Sequence, residues 1–384
     1  MKLNQNMNVQ SNRLPSLDLA RILAMLMMIA GHTFFSLVNP ELIDINEFPW
    51  SWWNFVRGVT APVFLTVSGI VQVFANKRDE RGKISSTTIQ KRLKTALNLL
   101  FIGYLLMFPA ANIYNIPYTP RSTFHTFLSV NILQLFGMTL LFVLLEFILS
   151  KNNKSLFRIS LFSALAIIIL NPFVHRINWF TTLPYGLASY LDPSHGSFFT
   201  IFPFSAYVFL GVSIGVILQK IDASKRLDFI MQKSLISAPI LLVVGLLLSY
   251  LDVNVFHNTG NLYIAGVGVF VLRLCCVAVM FYITGLITKS FRKYESYFSF
   301  FGKKSLYVYV IHMIILYGSA LTPGLNTYFA GQLTIPWAFF NILIVLSSTL
   351  IFTYIINIYT KNNKPVDLLY RASIAFYLVY VLII

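Results

Sequence analysis

The chain is poor in charge and poorest in acid: only 11% of its 384 residues are charged, with 13 Asp and Glu against 29 Lys and Arg. An average soluble domain carries about 25% charged residues, so an ordinary water-facing globular surface is excluded. Cysteine is almost missing. The two present, Cys275 and Cys276, are adjacent, a spacing at which a disulfide is geometrically awkward, and they read as packing thiols. No Cys and His spacing suited to metal ligation occurs, so no metal is expected.

Long apolar sequence takes the place of charge. With 57% of residues hydrophobic, runs long enough to cross a hydrocarbon core of about 30 Å recur from end to end. They predict an all-α integral membrane protein with about eleven transmembrane helices in one bundle, over 17–38, 55–75, 95–115, 130–150, 156–174, 200–219, 235–252, 262–288, 304–321, 336–359 and 366–384. A tail over 1–16 precedes one polytopic domain over 17–384. The tail is polar and no small-residue cleavage site follows the first run, so a retained span is expected rather than a signal peptide. No duplication of one half in the other is evident, which argues against an inverted-repeat transporter.

Putting the N-terminus in the cytoplasm assigns most of the 29 Lys and Arg to cytoplasmic segments, with Arg57, Arg121 and Arg176 outside and Arg21, Arg273 and Arg371 within spans. That orientation accounts for the formal charge of +16, and no nucleic-acid partner is implied. The expected setting is the plasma membrane, as a multi-pass protein and a possible homo-oligomer. One cytoplasmic segment gathers Lys77, Arg78, Arg81, Lys83, Lys91, Arg92 and Lys94. It reads as a topology signal beside anionic lipid or as a landing site for a polyanionic cofactor.

Asp18, Arg21 and His32 interrupt the first apolar run, where each ionisable group costs about 2.5–3.5 kcal/mol on insertion scales. From Arg21 to His32 is three turns with about 20° left over, so both share a helix face, and Asp18 precedes Arg21 on it. His32 then lies about 22 Å up the helix from Leu17. A neutral imidazole there is suited to removing a proton from a hydroxyl or amine, or to carrying an acyl group; a packed structural histidine is the plain alternative. For Asp18 and Arg21 the plain alternative is an anchoring ion pair. Ser68 and Gly69 suit close helix packing, and Asn131 and Gln134 share a face that suits interhelical hydrogen bonds. Arg273, Tyr309 and His312 are further polar groups within spans. His125, His175, His195 and His257 fall outside, with His125 the first candidate to approach an external ligand.

Arg13, Asp18, Arg21 and His32 form the pattern Arg-x4-Asp-x2-Arg-x10-His within RLPSLDLARILAMLMMIAGH. Further on come TAPVFLTVSGI (60–70), QKRLKTALNLLFIGYLL (90–106), FLSVNILQLFGMTLLF (127–142), FPFSAYVFLGVSIG (202–215) and SLYVYVIH (305–312). In this order the segments resemble the transmembrane acyltransferase superfamily, in particular its heparan-α-glucosaminide N-acetyltransferase catalytic-domain branch, with the acyltransferase-3 family as the neighbouring branch. Phe136 stands where an Arg or Lys often follows Leu-Gln, Gly31 where an Asp often precedes the His, and Ala20 where Leu or Phe is common.

The resemblance implies an acyl-coenzyme A-dependent enzyme, with acetyl-CoA as donor and a hydroxyl or amine of an external or envelope glycan as acceptor. It implies His32 as general base or acyl carrier and Asp18 and Arg21 at the cytoplasmic entrance. Ser68 and Gly69 would leave room for a pantetheine arm, and Arg92 and Lys94 would hold phosphates. Asn131, Gln134, His125, Arg273, Tyr309 and His312 are the candidates for the acceptor site or channel. The competing expectations are a polysaccharide O-acyltransferase of the acyltransferase-3 branch, a proton-coupled transporter using Asp18, Arg21, His32 and His312 as a relay, and a catalytically silent scaffold.

Overall fold

The computed structural model describes residues 14–76, 78, 79, 82–110, 113–254, 266–318, 322–362 and 364–383; Arg13, Lys77, Arg81 and His257 lie outside them. Among the described residues the chain is helical, with isolated bridges but no strand. The helices are α1 (Pro15–Leu37), α2 (Trp50–Arg57), α3 (Thr60–Ala75), α4 (Ser86–Leu106), α5 (Arg121–Leu128), α6 (Ile132–Leu149), α7 (Asn153–Val174) and α8 (Tyr185–Ala188). Then follow α9 (Ile201–Gln219), α10 (Arg226–Asn254), α11 (Val267–Ser290), α12 (Glu295–Lys303), α13 (Ser305–Tyr317), α14 (Leu325–Phe329), α15 (Ile335–Asn362) and α16 (Lys364–Ile383).

Eight helical stretches among the described residues are long and apolar enough to cross a membrane, taking Trp50–Ala75 as one. Three of the expected spans fall short for identifiable reasons. Helix α4 runs Ser86–Leu106 rather than 95–115 and carries Lys91, Arg92 and Lys94 in its first turns. Helix α13 has only 13 residues, because Gly318 ends it at φ +80°, a backbone state that suits glycine. Helix α16 starts with Lys364, Asp367 and Arg371 among its apolar residues.

Local chemistry sets several helix ends. Pro15 opens α1, where a missing N–H is harmless. The Ser85 side chain caps α4 by accepting from the Thr88 N–H at 3.3 Å, and Asn152 caps α7 by accepting from the Ser155 N–H at 2.8 Å. Arg78 donates to the last carbonyls of α6 and its C-cap, Phe147 O at 3.3 Å and Ser150 O at 2.8 Å, and to Asn153 Oδ1 at 3.1 Å. This cation therefore ties off a helix C-terminus. Asp252 near the end of α10 accepts the Gly268 N–H at 2.8 Å and so joins α10 to the start of α11. Within the apolar layer, Ser160 of α7 donates to the buried Glu146 carboxylate of α6. The Cys275 thiol donates to Ala238 O at 3.2 Å, and both cysteines are free.

Helix α1 is the hub, with α3, α11, α12, α13 and α15 packed around it. Helices α10 and α11 form a long pair, α4 packs on α6, and α9 lies between α3 and α7. Glycine sets the α3–α9 separation: a Cβ on Gly69 would sit 2.1 Å from Val208 O, and one on Gly211 would sit 2.2 Å from Thr66 O. Two backbones in contact leave no room for either methyl.

Gly69→Ala is therefore expected to lower the thermal midpoint of the detergent-solubilised protein, read by size-exclusion after heating. The overpacking cost of about 1–3 kcal/mol exceeds the gain of about 1 kcal/mol from replacing a helical glycine. Gly186→Ala, whose Cβ would find Leu128 at an ordinary 3.7 Å, should show no such loss.

Candidate functional site

A cavity of about 600 Å³ lies against one face of α1, within the size range of small-molecule sites. Toward the Pro15 end of α1 its wall is apolar, with Ala24, Met25, Met28, Leu99 and Leu306, plus Ser305. Toward the Leu37 end it becomes polar and aromatic, with Ser36, Arg57, Phe198 and Tyr317. From Ala24 to Ser36 the wall follows α1 for about 18 Å at 1.5 Å per residue. The periodicity that places Arg21 and His32 on one face also turns His32 into this cavity.

His32 and His312 meet across the α1–α13 interface, with His32 Nδ1 and His312 Nε2 3.3 Å apart and the rings stacked at a 29° interplanar angle. The second His312 nitrogen, Nδ1, lies 3.1 Å from Val308 O in the preceding turn of α13. A carbonyl oxygen only accepts, so His312 Nδ1 carries the hydrogen. In the neutral ring His312 Nε2 is then an acceptor, and it receives the His32 Nδ1–H. This leaves His32 Nε2 with its lone pair, on a residue that forms part of the cavity wall. His312 is fully buried, its ring set edge-on to Tyr309 at 5.2 Å between centroids. Tyr317 completes the group, edge-on to His32, with its hydroxyl 2.8 Å from Ser36 Oγ.

Two guanidinium groups line the same cavity. Arg57, the last residue of α2 and three residues before α3, has its guanidinium carbon 4.4 Å from the Phe35 ring centroid and donates to Asn54 Oδ1 at 2.9 Å. Its stem crosses α1 at Gly31, where a Cβ would come within 2.8 Å of Arg57 Cγ and 2.9 Å of Cδ. Arg273 of α11 is buried beside Phe204, 5.9 Å from that ring centroid. Among the described lining residues there is no Asp, Glu or Lys.

Of the residues singled out in the sequence, His32, His312, Tyr309, Asn131 and Arg273 come together around this cavity. Asp18 and Arg21 do not line it. Both are buried at the Pro15 end of α1, against α12: a Cβ on Gly302 would lie 2.9 Å from Asp18 Oδ1, and Arg21 donates to Gly302 O at 3.3 Å. Gly69 is occupied by helix packing, and neither it nor Ser68 reaches the cavity wall. Arg92 donates to Asn76 Oδ1 at 2.6 Å and Ala75 O at 2.9 Å, closing the C-terminus of α3. Lys94 is exposed on α4. Gln134 is fully buried beside Gly103 of α4, away from the cavity wall. His125 stacks on Tyr185 at 4.0 Å in a separate aromatic cluster with Phe180 and His195. The passage does not reach the basic segment: its described lining stops at Ala24 and Ser305, about one turn beyond Arg21.

Three contributors were missed in the sequence: Arg57, Tyr317 and Ser36. Arg57 carried the only signal, since it is one of three basic residues on the side the charge bias leaves nearly empty.

No curated protein matches the chain. A family model does, over residues 13–255, described as heparan-alpha-glucosaminide N-acetyltransferase, catalytic. The matched stretch carries α1 with His32, together with Arg57 and Asn131, while Arg273 and His312 follow it. With most of its length matched, the chain belongs to the heparan-α-glucosaminide N-acetyltransferase catalytic-domain family.

Proposed function

We propose that the protein is a membrane acetyltransferase that passes an acetyl group from acetyl-coenzyme A to a hydroxyl or amine of a glycan on the opposite side of the membrane. The observation that carries this reading is the His32–His312 pair in the cavity wall, with His32 Nε2 left as the available base. In this reading the N-terminus is cytoplasmic, and α4, α13 and α16 join the eight long apolar stretches as eleven spans of a cell-membrane protein.

In this reading the donor approaches from the Pro15 end of α1, past Asp18, Arg21 and α12, to reach the cavity lining that begins at Ala24 and Ser305. The apolar wall of Ala24, Met25, Met28 and Leu99 suits a slender thioester arm, while the nucleotide stays outside, where exposed Lys91 and Lys94 of α4 offer charge to its phosphates. Asp18 and Arg21 act as positioning groups that hold α12 to the base of α1. The acceptor enters from the Leu37 end. His32 Nε2 takes the proton from the acceptor oxygen or nitrogen as that atom attacks the thioester carbonyl. The tetrahedral adduct then expels the coenzyme A thiolate, which takes the proton back from the imidazolium. One bond to the acyl carbon forms, one breaks, and the histidine returns to its starting state.

His312 is a positioning residue. By fixing the His32 hydrogen on Nδ1 it keeps Nε2 basic and aimed, much as a buried carboxylate orients the histidine of a hydrolase triad. Membranes containing equal amounts of each protein would be given labelled acetyl-CoA and their glycans analysed. His32→Ala is expected to lower labelling by about 10²–10⁴-fold, the usual contribution of a positioned base. Labelling equal to that of the native protein would remove His32 from the mechanism.

His312→Ala should lower the rate about tenfold or more. His312→Gln, whose amide oxygen restores an acceptor for the His32 Nδ1–H, should recover part of it at equal folded yield. A glutamine variant no better than alanine would show that the tautomer is not what His312 controls.

A further inference from the structure

Arg57 has more hydrogen-bonding capacity than the fold uses. Its guanidinium has five N–H donors, and its one hydrogen bond among the described residues goes to Asn54. Its guanidinium carbon lies 4.4 Å from the Phe35 ring centroid, a cation–π contact that uses none of the N–H donors. It is half-buried and lines the Leu37 end of the cavity, the end at which the wall turns polar. No carboxylate among the described residues lines that cavity to neutralise it. A cleft with cations, apolar walls and no acid concentrates positive potential and draws anions.

Its position is built rather than accidental. At residue 31, immediately before His32, a side chain would collide with the Arg57 stem, at 2.8 Å from Cγ and 2.9 Å from Cδ. Glycine there lets the arginine lie across α1 beside the base. The arrangement places a cation in the same cavity wall as His32, at the end opposite the apolar stretch of α1.

Resting on the reading that the acceptor enters from this end, we propose that the acceptor bears an anionic oxyacid group, a carboxylate or a phosphate. Arg57 binds that group while a neutral hydroxyl or amine of the same sugar unit reaches His32. Arginine suits both oxyacids, because its paired N–H groups match two oxygens at once. Arg57 is thus a specificity-determining residue, and Gly31 is the position that admits it.

The test is equilibrium binding to the purified full-length protein, with no acetyl donor present, of glucose, glucuronic acid and glucose 6-phosphate. At least one anionic sugar is expected to bind about tenfold or more tightly than glucose, the scale of a hydrogen bond to a charged group. Carboxylate and phosphate are told apart by which of the two shows the preference. Arg57→Gln should reduce that preference to near unity while leaving glucose affinity unchanged, and Arg57→Lys should retain part of it. Gly31→Ala, which keeps the charge but displaces the arginine stem, should weaken the preference as well.

Equal affinity for all three sugars, no measurable binding of either anion, or a preference that survives Arg57→Gln would each overturn the proposal. Because nothing is transferred in this measurement, its failure leaves the role of His32 to the labelling experiment. Loss of the transfer reading would in turn show as absent label, whatever the sugar preference.

Discussion

One backbone carbonyl fixes the chemistry of the cavity. Val308 O accepts from His312 Nδ1, and that choice propagates through His312 Nε2 to His32 Nδ1 and on to His32 Nε2. Each step follows from a donor needing an acceptor in a place where water is scarce and an unmatched polar atom is costly. The carbonyl comes from a helical turn, four residues before the histidine it holds, so it moves only if α13 unwinds. A side-chain carboxylate in its place would have introduced a second buried charge and fixed the tautomer by electrostatics. The carbonyl fixes it by geometry, and the cavity remains without acid.

The same economy shows in how α1 is held. The helix presents Gly31 to the Arg57 stem and Asp18 to Gly302, so at one end an arginine fills a missing side chain on α1 and at the other a missing side chain on α12 admits a carboxylate. Close approach between helices, without a hydrophobic drive in lipid, depends on such shape matches. Helices α3 and α9 repeat the device with Gly69 and Gly211. Larger side chains of α3, α6 and α13, including Phe64, Phe136 and Met313, stand in the cavity wall that faces α1.

The sequence carried the helical class, the stretch that belongs to α1, and the common face of Arg21 and His32, because a period of 3.6 residues is local information. The likeness of the first helix to the acetyltransferase family was legible for the same reason, and the family match over residues 13–255 agrees with it. His312 was visible as a polar group in an apolar run, and its face was shared with Tyr309. Its partnership with His32 was not visible, since 280 residues separate them and no local pattern encodes which helices abut. Ser68 and Gly69 show the converse problem: a glycine that makes room for a ligand and one that makes room for a helix leave the same letter. Only the 2.1 Å between its absent Cβ and Val208 O distinguishes them. Arg92 likewise looked like phosphate-binding charge, yet it donates to the Ala75 carbonyl and the Asn76 side chain at the end of α3.

The change in wall chemistry along α1 constrains what the cavity is suited to. From Ala24 to Met28 the α1 wall is apolar, and the polar lining groups Ser305, Tyr309, Asn131 and Arg273 come from other helices. Asp18 and Arg21 lie beyond that stretch, against α12, and neither lines the cavity. An apolar half leading to an imidazole, followed by a half bearing Arg57, Ser36 and Tyr317, fits two reactants of unlike polarity arriving from opposite ends. Their reacting atoms would meet at one nitrogen, where bringing them together accounts for much of the acceleration that a single base cannot provide.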